Sequence, residues 1–342
     1  MKKGILFTVE CVIAIVVLLA LNLAVGSVHI PIRDTVAILL GSADGTVNES
    51  WRYIVLESRL PQVLTALLAG VALAASGLLL QTTFRNPLAG PDVFGISSGA
   101  SLAVALVMLA LGGNMSIGDY SFGGYLALML AGFLGAMVVI AIISLFSMWI
   151  RNQVVLLIIG IMIGYLASSA ISILNFFAAA EGVKSYMIWG MGSFGYVTMG
   201  EISWLGGVVL VGGIGALMLV KPLNALMLGE QYATSLGVDV KRVQLYLLLI
   251  TGLLTAAVTA FCGPIAFVGL ITPHIARQIL VTDNHRQLLP FTMLLGGVLC
   301  LLCNLLCTLP SENGVLPLNA ITPLLGAPVI IYILVKNSRR KE

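Results

Sequence analysis

Long apolar runs, each about as long as a helix that crosses a membrane, follow one another along almost the whole of this chain. Hydrophobic residues make up 59% of the 342 residues, and charged residues only 9%. Soluble globular domains carry about 25% charged residues. A core built from this chain could not hide so much apolar surface from water, so its main solvent must be lipid.

Backbone hydrogen bonding limits the structures that such a chain can form. In lipid, only helices and closed barrels satisfy every backbone N–H and C=O group. Barrel strands alternate apolar and polar residues with a period of two, whereas these runs are continuously apolar. We therefore predict an all-α, polytopic membrane protein with a single transmembrane domain over residues 1–342. The ten predicted spans cover residues 5–26, 61–82, 93–112, 123–149, 153–178, 199–221, 240–261, 265–281, 287–308 and 317–336.

The distribution of basic residues supports this number of spans. With the N-terminus inside, 13 of the 17 Lys and Arg residues fall on the inner side and four fall on the outer side. This excess is the positive-inside pattern of cytoplasmic loops. Both termini are then cytoplasmic, and the first apolar run is interpreted as a retained helix rather than a cleaved signal peptide. The four outer basic residues are Arg33, Arg52, Arg59 and Lys184.

Motifs for catalysis are missing from the sequence. There is no phosphate-binding Gly-x-x-x-x-Gly-Lys motif and no His-Glu-x-x-His motif, so we expect no enzymatic activity and no catalytic residue. Proton-coupled carriers need relays of ionisable residues inside the membrane. The predicted spans contain only Glu10, His274 and Arg277 as candidates. An ion-coupled secondary transporter stays open as the alternative, since sodium sites can be built from backbone carbonyls.

One group of cysteines is a candidate for soft-metal chemistry. Cys300, Cys303 and Cys307 share a face of the ninth predicted span, and thiolates are ligands that soft metals prefer. Cysteines in apolar helices more often serve as small packing residues, so we predict no metal site. Asn304 on the same helix is a candidate for a hydrogen bond between helices.

The segment LGEQYATSLGVDVKR, residues 228–242, is a polar island between two apolar spans. Leu228, Tyr232, Ala233 and Leu236 fall on one face of a short helix, and Gly237 is placed to end it. A helix of this length is marginal alone and needs a surface on which to pack. It is either a loop lying on the inner membrane surface or a docking element for a cytoplasmic partner.

Two segments rich in Pro and Gly, residues 81–101 and 262–277, interrupt the apolar pattern. Their prolines forbid a continuous helix, and both segments carry the short pattern Gly-Pro-x-x-Phe, a match of the kind that duplicated halves leave. His274 in the second segment is interpreted as a packed, hydrogen-bonded residue, and Arg277 is expected to lie near the inner surface. The residues that define the two breaks are Asn86, Pro87, Gly263, Pro264, Pro273, His274 and Arg277.

Several ordered blocks of the chain together resemble one family. The chain is similar to FecCD or vitamin B12-type permease subunits, which belong to bacterial ATP-binding-cassette (ABC) importers for iron-siderophores, haem or cobalamin. The resemblance covers nearly the whole sequence. The blocks that carry it are residues 59–81, RNPLAGPDVFGISSGAS (85–101), WGMGSF (189–194), LGEQYATSLG (228–237), GPIAFVGLITPHIAR (263–277), residues 284–297 and residues 316–334.

The resemblance implies a type II ABC importer permease fold in the bacterial inner membrane. It implies a homodimer with the pathway at its interface, two cytoplasmic ATPase subunits that bind ATP-Mg, and a periplasmic or lipid-anchored substrate-binding protein. The chain itself would bind no cofactor and no nucleic acid, and would carry a metal chelate, with iron-siderophores as the default. Residues 228–238 match the helix that the ATPase grips. Its proposed coupling residues are Leu228, Gly229, Glu230, Ala233, Leu236 and Gly237.

The resemblance also assigns roles outside the coupling helix. The fifth span and the end of the tenth would line the pathway, with Asn152, Gln153 and Asn175 at the inner gate or along the pathway. Docking of the binding protein falls to Arg59, Arg52 and Gln62 in and near an outer loop at about residues 27–60. Gln62 departs from the family pattern, which commonly has Arg there, so Arg33 or Lys184 would compensate.

Overall fold

The computed structural model describes residues 2–26, 28–41, 48–111, 114–117, 120–150, 152–309 and 314–338. Over these residues the chain is helical apart from one hairpin, which confirms the predicted all-α membrane fold. The α-helices are α1 (Lys2–Ala24), α2 (Ile32–Leu39), α3 (Glu49–Tyr53), α4 (Leu60–Thr83), α5 (Ile96–Ala105), α6 (Gly124–Trp149), α7 (Gln153–Phe177), α8 (Ala180–Gly190), α9 (Met199–Met218), α10 (Val220–Leu228), α11 (Glu230–Ser235), α12 (Val240–Cys262), α13 (Val268–Leu280), α14 (His285–Thr308) and α15 (Leu318–Ser338).

Each of the ten predicted spans corresponds to a helix. Seven helical segments within the described residues are long and apolar enough to cross a membrane, and they contain α1, α4, α6, α7, α9, α12 and α14. The other three predicted spans correspond to shorter segments, namely Ile96–Ala110, α13 and the part Leu318–Tyr332 of α15. Helix length and composition do not fix which end faces the cytoplasm, so the orientation stays a prediction.

Helices α4 and α12 form the centre of the bundle, and glycines allow their neighbours to approach closely. About three quarters of the residues in these two spans are buried, against 6% in α1 and 17% in α7. A Cβ on Gly77 of α4 would lie 1.7 Å from the carbonyl oxygen of Gly269 in α13. A Cβ on Gly70 would lie 2.2 Å from the carbonyl oxygen of Gly296 in α14. Small residues at these crossings set the helix spacing, as is typical inside membranes.

The outer segment at residues 27–60, predicted as a loop, is largely helical. Helix α2 occupies the amphipathic stretch there, while α3 and the π-helical turn Ile54–Arg59 continue directly into α4. This second span is therefore one helix of 35 residues, Glu49–Thr83. Asn48 begins it by accepting a hydrogen bond from the Ser50 N–H at 2.9 Å, a local cap that hydropathy does not reveal.

Two other connections also contain regular structure. The connection between α7 and α9 contains α8 and a short 3₁₀ turn, Phe194–Tyr196. The connection between the third and fourth spans carries two antiparallel strands, β1 (Asn114–Ile117) and β2 (Tyr120–Gly123). These elements satisfy backbone groups locally where the chain turns.

Candidate functional site

Helix α11 is a single, sharply bounded turn on the predicted cytoplasmic side. Gly229 precedes it with φ of 127°, and Gly237 follows it with φ of 81°. The N–H of Val238 donates to the Ala233 carbonyl at 3.0 Å, and the N–H of Gly237 donates to the Thr234 carbonyl at 2.9 Å. This pair of bonds is the Schellman motif, so Gly237 ends the helix as predicted.

The predicted coupling segment divides into a buried anchor and an exposed apolar surface. Ala233 is fully buried, whereas Leu228, Tyr232 and Leu236 are 67%, 51% and 59% exposed. Leu228 is the last residue of α10 rather than part of α11, because the chain bends at Gly229. The predicted single helix over residues 228–238 is thus wrong in its bounds. We name the three exposed side chains, Leu228, Tyr232 and Leu236, the apolar knob.

Helix α10 fastens this region to the core through hydrogen bonds. The Asn224 Oδ1 accepts from the backbone N–H of His285 at 2.8 Å and lies 3.0 Å from its ring Nδ1. On its other side, the ring Nε2 of His285 lies 2.7 Å from the Thr82 hydroxyl. His285 is completely buried. The network joins α10 to α14 and α4, so α10 is held against the bundle.

Arg85 links the same region to the first helix break. Its guanidinium donates a hydrogen bond to the Leu226 carbonyl near the end of α10. Arg85 itself has φ of 42° and is the second residue of the non-helical segment, residues 84–95, that leads to α5. The Arg85 side chain therefore caps α10 immediately before the bend at Gly229. Displacement of α10 would move the first helix break, and displacement of the break would move α10.

A cavity of about 430 Å³ separates α11 from the predicted inner gate. Its walls include Glu230 and Thr234 of α11, Phe84 at the end of α4, and Ile150 and Leu156 on either side of the turn between α6 and α7. The Glu230 carboxylate accepts a hydrogen bond from Gln244 at 3.2 Å. Helix α11 thus has open space on the side that faces the gate turn.

Two of the three predicted gate and pathway residues, Asn152 and Asn175, occupy different settings. Asn152 is exposed and begins α7, since its Oδ1 accepts from the Val154 N–H at 2.9 Å. Asn175 is half-buried near the other end of α7, and its Oδ1 has no hydrogen-bond partner among the described residues. The side chain of Gln153 and the whole of Arg151 lie outside the described part of the chain. Their gating role stays a prediction.

The two helix breaks lie side by side in the structure. His274 Nε2 lies 2.8 Å from the Pro87 carbonyl, so the histidine is a packed, hydrogen-bonded residue as predicted. Asn86 supports this turn by accepting from the Leu88 N–H at 2.9 Å. Pro273 lies within α13, and its missing N–H is tolerated because the helix is packed among neighbours.

The second break is held by a residue that the sequence did not single out. Asn319 donates to the Pro264 carbonyl at 2.7 Å and to the Gly190 carbonyl at 3.1 Å, and it accepts from the Ala266 N–H. Gly263 is required at the turn, because φ is 76° and a Cβ would lie 2.6 Å from the Trp189 carbonyl oxygen.

Arg277 is bound inside the bundle rather than simply reaching for the surface. Its Nη1 donates to Gln81 Oε1 at 2.7 Å, and its Nε lies 3.5 Å from the Asp283 carboxylate. Gln81 in turn donates to the Leu270 carbonyl at 3.0 Å. Gln81 was missed because only its partners, almost 200 residues away, reveal its role.

Arg59, predicted to receive the binding protein, is buried and serves the fold instead. It is 5% exposed. Its guanidinium donates to the carbonyls of Leu23 at 2.7 Å, Ala24 at 3.1 Å, and Val28. The first two are orphan carbonyls at the C-terminus of α1, where a cation is also favoured by the helix dipole. Arg52, by contrast, is exposed.

Gln62, the other predicted docking residue, belongs to a polar chain between three helices. It donates to Asn304 Oδ1 at 2.9 Å, and Asn304 donates to Asn22 Oδ1 at 2.8 Å. Asn22 continues to the Leu301 carbonyl at 3.1 Å. The predicted interhelical hydrogen bond of Asn304 is confirmed. The Gln62 amide is a donor in this network, which joins α4, α14 and α1.

Replacing Arg59 with Ala should destabilise the protein, whereas Arg52→Ala should not. Arg59→Ala leaves three carbonyls without their donor, at about 1–3 kcal/mol for each that stays unsatisfied. We expect a loss of roughly 2–5 kcal/mol, measured as a lower thermal midpoint in detergent. Arg52 is the matched control, because the same truncation on the exposed surface removes charge without burying an unpaired group. Equal midpoints for the two variants would contradict the structural role of Arg59.

The five cysteines are all buried and unpaired. Within the described residues, no group of three or more His, Cys, Asp or Glu side chains is arranged to hold a metal ion. Cys300, Cys303 and Cys307 pack in the main hydrophobic core with residues of α4 and α12.

Comparison with known proteins identifies a family and several permeases to which this chain is similar. The family model of the FecCD transport family matches residues 13–336. The hemin transport permease HmuU of Yersinia pestis is 34% identical, with 87% of each chain covered. The vitamin B12 permease BtuC of Vibrio cholerae is 35% identical, with 83% of each covered.

Among solved structures, an inward-facing metal-chelate type ABC transporter superposes with a TM-score of 0.81 at 28% identity. The superposition covers 96% of this chain and 98% of that one. A second structure, PsaBC of Streptococcus pneumoniae, shares 18% identity at a TM-score of 0.52, which indicates a similar fold only. The match to the family model over almost the whole sequence shows that this chain is a member of the FecCD transport family.

Proposed function

We propose that this chain is the membrane-spanning permease of an ATP-driven importer that carries a metal chelate inward across the cytoplasmic membrane. The relatives are themselves permeases for hemin and vitamin B12. The chain would work as a homodimer with two ATPase subunits, which hold ATP-Mg, and with a periplasmic or lipid-anchored binding protein. It would carry out no chemistry on its substrate.

The apolar knob is the observation that carries this proposal. Three large apolar side chains project at the end of α10 and along the six-residue α11, on the side of the chain predicted to face the cytoplasm. Exposed apolar groups next to polar residues such as Glu230 are typical of protein interaction sites. A loop that lies on the membrane surface would turn these side chains toward lipid, and the effect of a Leu236 substitution on ATPase binding separates the two interpretations.

The contacts behind the knob supply a route for motion. Ala233 packs α11 against the core, and Arg85 joins the end of α10 to the first helix break. Movement of the ATPase subunits would therefore displace α11 together with segment 84–95. The cavity beside α11 leaves room for this displacement toward the gate turn. Alternating access would follow if segment 84–95 and the gate turn move relative to the rigid centre formed by α4 and α12.

The exposed face of α7 supports a homodimer with the pathway at its interface. This face mixes apolar residues with Tyr165, Ser168, Ser169 and Ser172, all exposed. The exposed face of α1 carries mainly Ile, Leu and Val along most of its length. Lipid suits the face of α1, whereas exposed hydroxyl groups on α7 favour contact with another protein or with water. A second copy seated on α7 would provide both.

The second candidate is an ion-coupled secondary transporter, and reconstitution separates it from the ABC importer. The wild-type chain is placed in proteoliposomes with and without its ATPase subunits. We expect it to bind these subunits and to change their ATP hydrolysis rate at least twofold, in the absence of any proton or sodium gradient. Chelate uptake driven by an imposed ion gradient without ATPase subunits would overturn the proposal and favour the carrier.

A further inference from the structure

Asp92 is a carboxylate in an unexpected position, between the two helix breaks. Its carboxylate accepts a hydrogen bond from the Ser97 hydroxyl at 2.9 Å and another from the backbone N–H of Phe267. Ser97 lies in the first turn of α5, and Phe267 is the N-cap of α13. Two helix N-termini therefore meet at this one carboxylate, and such ends stabilise negative charge. Phe267 has φ of 69°, a costly conformation that its bond to Asp92 helps to hold.

The depth of Asp92 follows from the helices that surround it. Phe267 lies ten residues before Arg277 along α13, which corresponds to about 15 Å of helix rise. Phe267 also packs on Gly326 of α15, where a Cβ would lie 3.1 Å from the Phe267 Cβ. Gly326 is eight residues from one end of α15 and twelve from the other, or about 12 and 18 Å. On the other side, Phe94 packs on Gly160, which is seven residues, or about 10 Å, from the start of α7. Asp92 thus lies within the membrane, in the half nearer the predicted cytoplasmic side.

The exposure of Asp92 at this depth restricts what it can face. Protein surrounds most of the side chain, yet the residue is exposed on one side, and Leu88 four residues earlier is 43% exposed. An ionised carboxylate within the membrane does not face lipid, because hydrocarbon cannot solvate its charge. The open side must therefore face water or another protein chain.

The helices on either side of Asp92 identify that open side. On one side Gly95 packs on α7, where a Cβ would lie 2.8 Å from the Gly160 carbonyl oxygen. On the other side Phe267 packs on α15. These are the two helices expected to line the pathway. Asp92 sits between them, on the surface that a second copy would complete.

We propose that Asp92 lines the translocation pathway within the membrane, and that the two copies in a homodimer make this zone selective against anions. The inference rests on the proposed function and narrows its substrate. A chelate of neutral or positive net charge would pass the two carboxylates, whereas a polyanionic chelate would be repelled, because the low-dielectric walls of a narrow pathway focus the field of the carboxylates.

Thiol labelling of the reconstituted full-length chain tests both parts. The probes are a positively charged trimethylammonium methanethiosulfonate and its negatively charged sulfonate analogue. We expect Asp92→Cys to react with these membrane-impermeant reagents, because the position faces water. Val16→Cys on the apolar face of α1, six residues from Glu10, should stay unreactive, and so should the wild type with its five buried cysteines.

The charge preference is measured at a reporter position near Asp92. In Leu88→Cys, the ratio of the cationic to the anionic labelling rate should fall about threefold to tenfold when Asp92→Asn is added. Using a ratio cancels any change in the reactivity of the thiol itself. Glu181→Gln, which neutralises an exposed carboxylate on α8, is the matched control and should leave the ratio unchanged.

Two outcomes would overturn the inference. One is an Asp92→Cys protein that folds but does not react, and the other is a labelling ratio that Asp92→Asn leaves unchanged. If Asp92→Cys does not fold, the Leu88→Cys pair decides alone. Labelling needs no ATPase subunit, so its failure is distinct from a failure of the proposed function, which would appear as a lack of ATPase coupling in the same proteoliposomes.

Discussion

Leu236→Asp should abolish coupling between this chain and its ATPase subunits. Leu236 is 59% exposed at the end of α11, and it makes up the apolar knob with Leu228 and Tyr232. A carboxylate at the centre of an apolar contact would be buried without a partner, and single changes at such positions cost 2 kcal/mol or more. We expect the Kd for the ATPase subunit to rise at least about 30-fold and the stimulated ATP hydrolysis to fall to its basal rate.

Leu40→Asp is the matched control for this change. Leu40 is 74% exposed at the end of α2, on the predicted outer side, so the same substitution adds the same charge far from α11. Both variants should retain the thermal midpoint of the wild type, because neither side chain is buried. Normal ATPase binding by Leu236→Asp would mean that α11 is only a surface element and would favour the secondary transporter over the ABC importer.

Gly77→Ala should have the largest effect on stability of any single methyl addition to the bundle. The added Cβ would lie 1.7 Å from the Gly269 carbonyl oxygen and 2.4 Å from its carbonyl carbon. Backbone atoms cannot rotate away as a side chain can, so α4 and α13 must separate. Overpacking of this kind costs about 3 kcal/mol or more, which corresponds to a fall of roughly 6–12 °C in the thermal midpoint.

Gly207→Ala provides the same chemical change without the clash. Gly207 lies in α9, and nothing is within 4 Å of the position that its Cβ would take. Alanine is favoured over glycine in a helix by about 0.5–1 kcal/mol, so this variant should be as stable as the wild type or slightly more stable. A Gly77→Ala protein with an unchanged midpoint, measured beside Gly207→Ala in detergent, would contradict the close crossing of α4 and α13.

Local sequence signals predicted the parts of the fold that depend on neighbouring residues. Apolar runs located a helix at each of the ten predicted spans, although Ile96–Ala110 and α13 are shorter than a full span. The end of α11 was located because Gly237 can adopt positive φ where other residues resist it. The helical start at Glu49 was missed, because charged residues in that stretch lower its hydropathy although Asn48 caps the helix.

The candidate site was predicted less completely than the spans. The short helix was located from a polar island between two spans, and its coupling role, which the resemblance implies, stays a prediction. Its division at Gly229 and the separation of buried Ala233 from exposed Tyr232 became clear only from the packing of α10 and α11 on the bundle. Asp92 was overlooked because it falls between two spans in the sequence, in a segment that reads as an inner turn.

The sequence by itself determined the helical membrane fold and the position of helix α11, because the length of apolar runs and the preferences of glycine act over a few residues. Tertiary structure alone decided what the polar side chains do. In the sequence Arg59 resembles a surface arginine, and only the structure shows that it binds carbonyls of α1. The role of Gln81 is visible only in the structure, where it accepts a hydrogen bond from Arg277, 196 residues away. In a bilayer, the cost of leaving such groups unpaired is high, so their partners are fixed by three-dimensional packing, which a linear pattern does not record.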